Sequence, residues 1–240
     1  MPRTKESTMR ILRPAAERGT TEIGWLHSRH SFAFGEYYDE AWLGFRALRV
    51  INDDVVEPAQ GFGTHGHRDM EIVTWVLDGA LEHRDSLGNG GILRHGDVQV
   101  MSAGTGIRHS EFNASPTAAS HFLQMWIQPD RAGVKPNYAQ AAIPAEARSG
   151  RWASLAAGAG RPAAVTIAAD AAVLVASLAA GQELEHALAP GRHAWLQVAR
   201  GTLTADGQPL AAGDGLAVSD EPVLRLRATT DTEVVLFDLK

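Results

Sequence analysis

No cysteine occurs among the 240 residues, which excludes disulfides, thiolate metal ligands, iron–sulfur clusters and cysteine nucleophiles. Any metal has to sit on nitrogen and oxygen. Basic charge is also scarce: 22 Lys and Arg stand against 28 Asp and Glu, a formal charge of −6 with histidine neutral. Such a chain has no cationic field to draw in phosphate backbones, so direct nucleic-acid binding is not expected, and a small molecule or a protein partner fits better. A long apolar run is missing too. The basic start MPRTKESTMRILRP is followed by no stretch of signal-peptide length. The most apolar segment, residues 163–180, is half alanine and contains Asp170. It falls short of the roughly 20 strongly apolar residues of a bilayer span and reads as a buried pair of strands. A cytoplasmic protein with no membrane contact is expected. Met9 opens the stretch that reads as structure, and residues 1–8 read as a disordered lead or as preceding the translation start.

Long helical periodicity is absent as well. Short apolar runs separated by glycine, aspartate and asparagine give the rhythm of an all-β protein. Strands are predicted at 45–52, 67–78, 81–85, 97–102, 109–113 and 121–128. After Pro129 the texture turns to prolines, charges and small residues, and a second β-rich stretch follows, with strands predicted at 163–167, 172–178, 194–200, 201–205, 216–218, 223–228 and 233–239. The halves echo one another. Trp195 to Thr204 followed by Gly213-Asp214 parallels Ile72 to Glu82 followed by Gly96-Asp97, each reading strand, glycine turn, strand and Gly-Asp turn, so two copies of one barrel are expected. Residues 9–135 form the first domain, 136–150 the connection and 151–240 the second. The second copy has no alternating pair of histidines; His186 and His193 stand seven apart in turn-like sequence.

What the first half does have is a ligand pattern. His65-Gly66-His67 sets two imidazoles two residues apart, on one face of a strand. Forty-two residues after His67, His109-Ser110-Glu111 repeats the spacing with one histidine and one carboxylate. Converging across a barrel interior, His65, His67, His109 and Glu111 would offer three nitrogens and one oxygen. That set suits iron, nickel, copper, cobalt or zinc and is too rich in nitrogen for calcium or magnesium. An octahedral ion would keep two positions open, as reactive sites do and closed structural sites do not. A lone histidine in a strand is more often a hydrogen-bonded residue than a ligand; the matched second pair and the glycines at 61, 63, 66, 104 and 106, which let the chain turn into each ligand strand, shift the balance. Glu71 shares strand parity with His65, His67 and Asp69, and is expected to look inward as a further ligand or, since Glu111 already provides the carboxylate, rather as a base or as an acceptor for a ligand's N–H. An ordinary rim position is the alternative.

These residues carry a resemblance. Gly63 through Glu71, Gly79, Gly96-Asp97 and Ser102 through Glu111 together match the long signature of the pirin family, a bicupin branch of the cupin superfamily. The match extends back through Arg29 to Gly35 and forward through Leu123 to Ile127. The resemblance implies two tandem jelly-roll β-barrels, the second degenerate and without metal residues. It implies that His65, His67, His109 and Glu111 are the ligands of one divalent ion, usually Fe(II), with Ni, Cu, Co, Mn or Zn as other candidates, and that Glu71 matches a cupin glutamate that pirins do not use as a ligand. The general cupin pattern has proline where this chain has Ser102.

Some members resemble quercetin 2,3-dioxygenases. The leading expectation is therefore a metal-dependent dioxygenase that opens the heterocycle of a flavonol, or of another aromatic or enolic compound, with O2 and release of carbon monoxide, Glu71 accepting the hydroxyl proton. Phe32, Phe34, Trp75 and Met125 are candidates to line its pocket, with core packing as the alternative for each. The rival expectations are a redox-responsive module that binds a protein partner without turnover, and an isomerase or hydrolase using zinc or manganese without oxygen.

Overall fold

β-Branched and aliphatic runs broken by glycine turns give strands throughout. The computed structural model describes residues 9–240; residues 1–8, and the reading of them as a lead, lie outside the described residues. In chain order the strands of the first half are β1 (Met9–Arg13), β2 (Gly19–Glu22), β3 (Leu26–His30), β4 (Leu48–Val56), β5 (Gly61–His67), β6 (Glu71–Asp78), β7 (Ala80–Asp85), β8 (Gly90–Arg94), β9 (Asp97–Ser102), β10 (Ile107–Asn113), β11 (Ser120–Ile127) and β12 (Asn137–Ala142). A short helix, α1 (Ala145–Arg148), leads into β13 (Ala153–Gly158), β14 (Val165–Ile167), β15 (Ala171–Leu178), β16 (Glu183–Ala187), β17 (His193–Arg200), β18 (Thr202–Ala205), β19 (Gln208–Ala211), β20 (Gly215–Ser219), β21 (Val223–Ala228) and β22 (Thr232–Leu239).

Each half pairs a seven-stranded sheet with a four-stranded one. In the first half the orders are β12-β9-β6-β11-β4-β3-β2 and β5-β10-β7-β8; in the second they are β1-β20-β17-β22-β15-β13-β14 and β16-β21-β18-β19. The expected all-β chain of two tandem, like-built domains is thus present, each a pair of sheets, and the alanine-rich segment is indeed strand, as β14 and β15. Two edges depart from the expected domain limits. β1 leaves the first half and pairs antiparallel with β20, while β12, inside the expected connection, extends the first large sheet by pairing with β9.

The cores explain why only one half holds a polar centre. The two seven-stranded sheets pack face to face, and Val73, Trp75, Leu123, Met125 and Ile127 from one side meet Leu155, Val173, Trp195, Val235 and Phe237 from the other. The interior of the second half is filled by a continuous aliphatic cluster including Leu178, Leu196, Leu203, Leu216 and Leu236. In the first half the interior is divided between two small clusters, one around Leu81, Leu93 and Phe122, the other around Ile72, Met101 and Ile107. Buried polar residues occupy the remainder, among them Thr74, Gln99, His109 and Glu111.

The strand predicted across 67–78 is two strands. β5 ends at His67 and β6 begins at Glu71, because Asp69 adopts a left-handed φ of 49°. Its N–H donates to the Gly104 carbonyl at 2.9 Å and its carboxylate accepts from the Gly133 N–H at 2.6 Å. The reversal ends the alternation on which the placement of Glu71 depended.

Candidate metal centre

β5 and β10 run antiparallel with His65 opposite His109 and His67 opposite Ile107, and the register shifts between His109 and Glu111, where Glu111 faces Phe62. The extra residue lies in β5 between Phe62 and His65, outside the run of the histidines; His65 pairs with His109 and His67 follows two residues on, so regular alternation puts the three imidazoles on one face. Nε2 of His109 lies 3.0 Å from Nε2 of His67 and 3.1 Å from Nε2 of His65. The outer nitrogen of His65 is held by the Gly63 carbonyl at 2.8 Å, so its proton sits on Nδ1 and its Nε2 lone pair faces inward. Burial, and then the neighbouring His65, push His67 down to about 4. Burial followed by His65, His67 and His83 pushes His109 down to about 2. Both rings are therefore neutral at physiological pH, the form that binds metals.

Glu111, also on β10 and 1% exposed, does not join all three histidines in one group. Its carboxylate forms a second group with His109 and His83 in which the ligand atoms lie within 4.8 Å of one another. It accepts from Gln124 Nε2 at 2.6 Å and from Gln99 Nε2 at 3.3 Å. Burial pushes it up to about 7 against those two donors. Asp54 on β4, likewise buried, is also pushed up to about 7.

A divalent ion fits these residues. Nitrogens at right angles around an ion with bonds of about 2.1 Å stand about 3.0 Å apart, which matches both spacings from His109. Three inward-facing lone pairs repel one another unless a cation or a proton lies between them. A carboxylate beside His109 completes a nitrogen and oxygen set proper to a borderline divalent ion.

His65, His67 and Glu111 open onto a cavity of 1070 Å³ whose walls include Trp25, Phe34, Phe62, Trp126, Gln124 and Asp54. Trp126 sits edge-on to both His67 and Phe34, with ring centroids at 4.9 and 5.5 Å. Of the aromatic and thioether candidates, Phe34 alone reaches this wall. Phe32 packs on Trp195 at 4.6 Å, and Trp75 and Met125 belong to the core between the large sheets. Glu71 follows the parity of Val73 and Trp75 and faces that same core. It is fully buried, accepts from Ser102 Oγ at 2.6 Å, has no partner for Oε1 among the described residues, and is raised above the usual carboxylate range by burial. The serine that replaces the general cupin proline is thus a partner of Glu71. Neither residue touches the cavity.

Sequence reading missed Trp126, Gln124, Gln99 and His83. A signal existed for the glutamines: a glutamine inside an apolar strand such as VQVM or FLQMWI has to be paired once buried. In the second half, His186 bonds Asp238 at 3.1 Å and His193 bonds Ser219 at 2.8 Å. Among the described residues, the groups able to hold a metal lie in the first half. No helix among them is long and apolar enough to cross a membrane.

Comparison with known proteins agrees with this division. Residues 12–127 match the Pirin family model, and residues 154–239 match the quercetinase C-terminal cupin domain. A protein of Escherichia coli strain K12 named quercetin 2,3-dioxygenase is 46% identical over 231 residues, covering 96% of this chain and 99% of that protein. A putative quercetin 2,3-dioxygenase of Pseudomonas aeruginosa is 46% identical over 228 residues, covering 95% and 98%. The crystal structure of the bacterial pirin YhhW from Escherichia coli in complex with nickel(II) superposes with a TM-score of 0.91 at 44% identity, covering 96% of this chain and 99% of that one. With two cupin domains in tandem, a histidine cluster confined to the first and relatives matched from end to end, the chain belongs to the pirin family.

Proposed function

We propose that this protein is a metal-dependent dioxygenase that opens the heterocyclic ring of a flavonol such as quercetin, consuming O2 and releasing carbon monoxide. The observation that carries the reading is the meeting of three Nε2 atoms at the wall of a large, aromatic-lined cavity. His65, His67, His109 and Glu111 would hold the ion, for which Fe(II) is our expectation. When bound, the ion supplies a Lewis-acidic, redox-capable position beside which an enolised substrate and oxygen can react. The quercetin 2,3-dioxygenase names carried by the Escherichia coli and Pseudomonas aeruginosa relatives support the substrate class.

The chain's own residues do the rest. Trp126, Phe34, Phe62 and Trp25 offer apolar aromatic walls that suit a polycyclic aromatic and limit water near the imidazoles. Gln124 and Gln99 hold the Glu111 carboxylate in place. Asp54, at the cavity wall and kept protonated up to about pH 7 by its burial, takes the proton-exchanging role first expected of Glu71, since Glu71 looks into the core between the sheets.

The test is aerobic and anaerobic incubation of quercetin with protein reconstituted with ferrous iron, following flavonol absorbance and carbon monoxide. Oxygen-dependent loss with stoichiometric carbon monoxide, absent in metal-free protein, is expected. A fully loaded protein without turnover would overturn the reading in favour of a binding module.

A further inference from the structure

On the side of His109 away from the other two imidazoles stands another histidine, outside the set of His65, His67, His109 and Glu111. His83 is fully buried, and its Nδ1 lies 3.4 Å from Nδ1 of His109. Its Nε2 lies 3.2 Å from Oδ2 of Asp85. Asp85 is itself fixed by the backbone N–H groups of Leu87 at 2.8 Å and Asn89 at 3.0 Å, and by the Asn89 amide at 3.0 Å. The register of β7 with β10 sets Asp85 opposite His109 and His83 opposite Glu111, so two alternating residues of one strand reach behind the ligand strand. Tyr138 of β12 stacks on the His83 ring with centroids at 4.6 Å and planes at 18°, which fixes its orientation.

The protons in this chain can be placed. A carboxylate only accepts, so the Nε2 of His83 that faces Asp85 carries hydrogen. Between two ring nitrogens 3.4 Å apart there is room for one proton. With an ion among the three inward nitrogens, Nε2 of His109 is a bare lone pair, and its ring proton is on Nδ1. The acceptor for that proton is Nδ1 of His83. His65 solves the same problem with the Gly63 carbonyl; at His109 a second imidazole takes that place.

We propose that His83, oriented by Asp85, is a positioning residue that accepts the Nδ1–H of His109 and so holds the Nε2 lone pair of His109 toward the metal. The inference rests on the reading of His109 as a ligand. Partners of this kind fix the tautomer and ring angle of ligating histidines, and their removal weakens metal binding.

The experiment uses the full chain loaded with zinc(II), which accepts nitrogen and carboxylate ligands and leaves the NMR spectrum undistorted. ¹⁵N-histidine spectra of the loaded protein should show His83 protonated at Nε2 and bare at Nδ1, with His109 protonated at Nδ1. Loss of zinc to a chelator should be about 10- to 100-fold faster in His83→Leu, while in His83→Gln, whose amide oxygen can accept the same proton, it should return to within about 3-fold of the original chain. A His83 protonated at Nδ1 overturns the proposal, as does an unchanged rate in His83→Leu. The wild-type spectrum and His83→Gln decide the matter even where His83→Leu does not fold. His67→Ala is the separate control: zinc retained there sinks the ligand reading, whereas zinc lost there with no effect in His83→Leu sinks the positioning role alone.

Discussion

Glu71 and Glu111 are both buried carboxylates with raised pKa values, yet they sit on opposite faces of the first half's sheets. Glu111 shares its strand with His109, two residues apart, and the alternation carries through to place both inside. Glu71 is separated from His67 by the left-handed turn at Asp69, so counting by twos across that turn gave the wrong face. Glu71→Gln keeps volume and removes only a carboxyl that burial already favours as neutral, so metal content and turnover should stay within about 2-fold of the original chain. Elemental analysis and the quercetin assay check this; a large fall in rate with metal retained would restore a catalytic role to Glu71. For Glu111 the sign runs the other way. Its carboxyl holds a proton up to about pH 7, and a ligand has to give that proton up. Metal affinity should therefore rise by at least roughly tenfold per pH unit between about pH 5 and 7, then level off, with at least about one proton released per ion on the acid side. His67 and His109 are already neutral through that window. Calorimetry in two buffers of different ionisation enthalpy reads the proton release, and a pH-independent affinity would contradict the role of Glu111.

At the scale of elements, the ligand strands were legible because HGH and HSE repeat one spacing, and the central strands because runs such as IVTWVL and FLQMWI are apolar on both faces. The edges were not. β1 and β12 lack a buried alternating face and are largely exposed or half-buried, so nothing in Met9–Arg13 announced that it would complete the far sheet beside β20. The loop before β10 shows how much the site owes to its turns. Gly104 has φ +45°, and a Cβ there would run into the Val134 carbonyl, while its own carbonyl holds the Asp69 N–H. Gly104→Ala should cost about 2 to 4 kcal/mol through backbone strain and collision. Urea unfolding measures it, and a loss under about 0.5 kcal/mol would show that the loop gives way freely.

Over the whole molecule, the repeat seen in the sequence is an architectural repeat whose two interiors have diverged. One is filled by aliphatic side chains; the other is divided around a polar centre. The second barrel gives the first its outer wall: Trp75 is fully buried between the large sheets and donates to Glu233 Oε1 at 2.6 Å. Trp75→Ala should lower stability by about 3 to 5 kcal/mol, with fluorescence and circular dichroism still reporting one coincident unfolding transition for both halves. Two separated transitions would show that the halves fold independently. The sequence could not place Trp75, since a tryptophan on a strand buried on both faces is equally suited to a pocket or an interface.

The central claim, that one ion held by the first barrel carries the chemistry, is tested most directly by titrating metal-free protein with ferrous iron and measuring bound iron and quercetin turnover on the same samples. Turnover should rise in proportion to occupancy, stop rising at one ion per chain and vanish with the bound iron in His67→Ala. Turnover in the metal-free chain, or iron bound at full stoichiometry in His67→Ala, would contradict it.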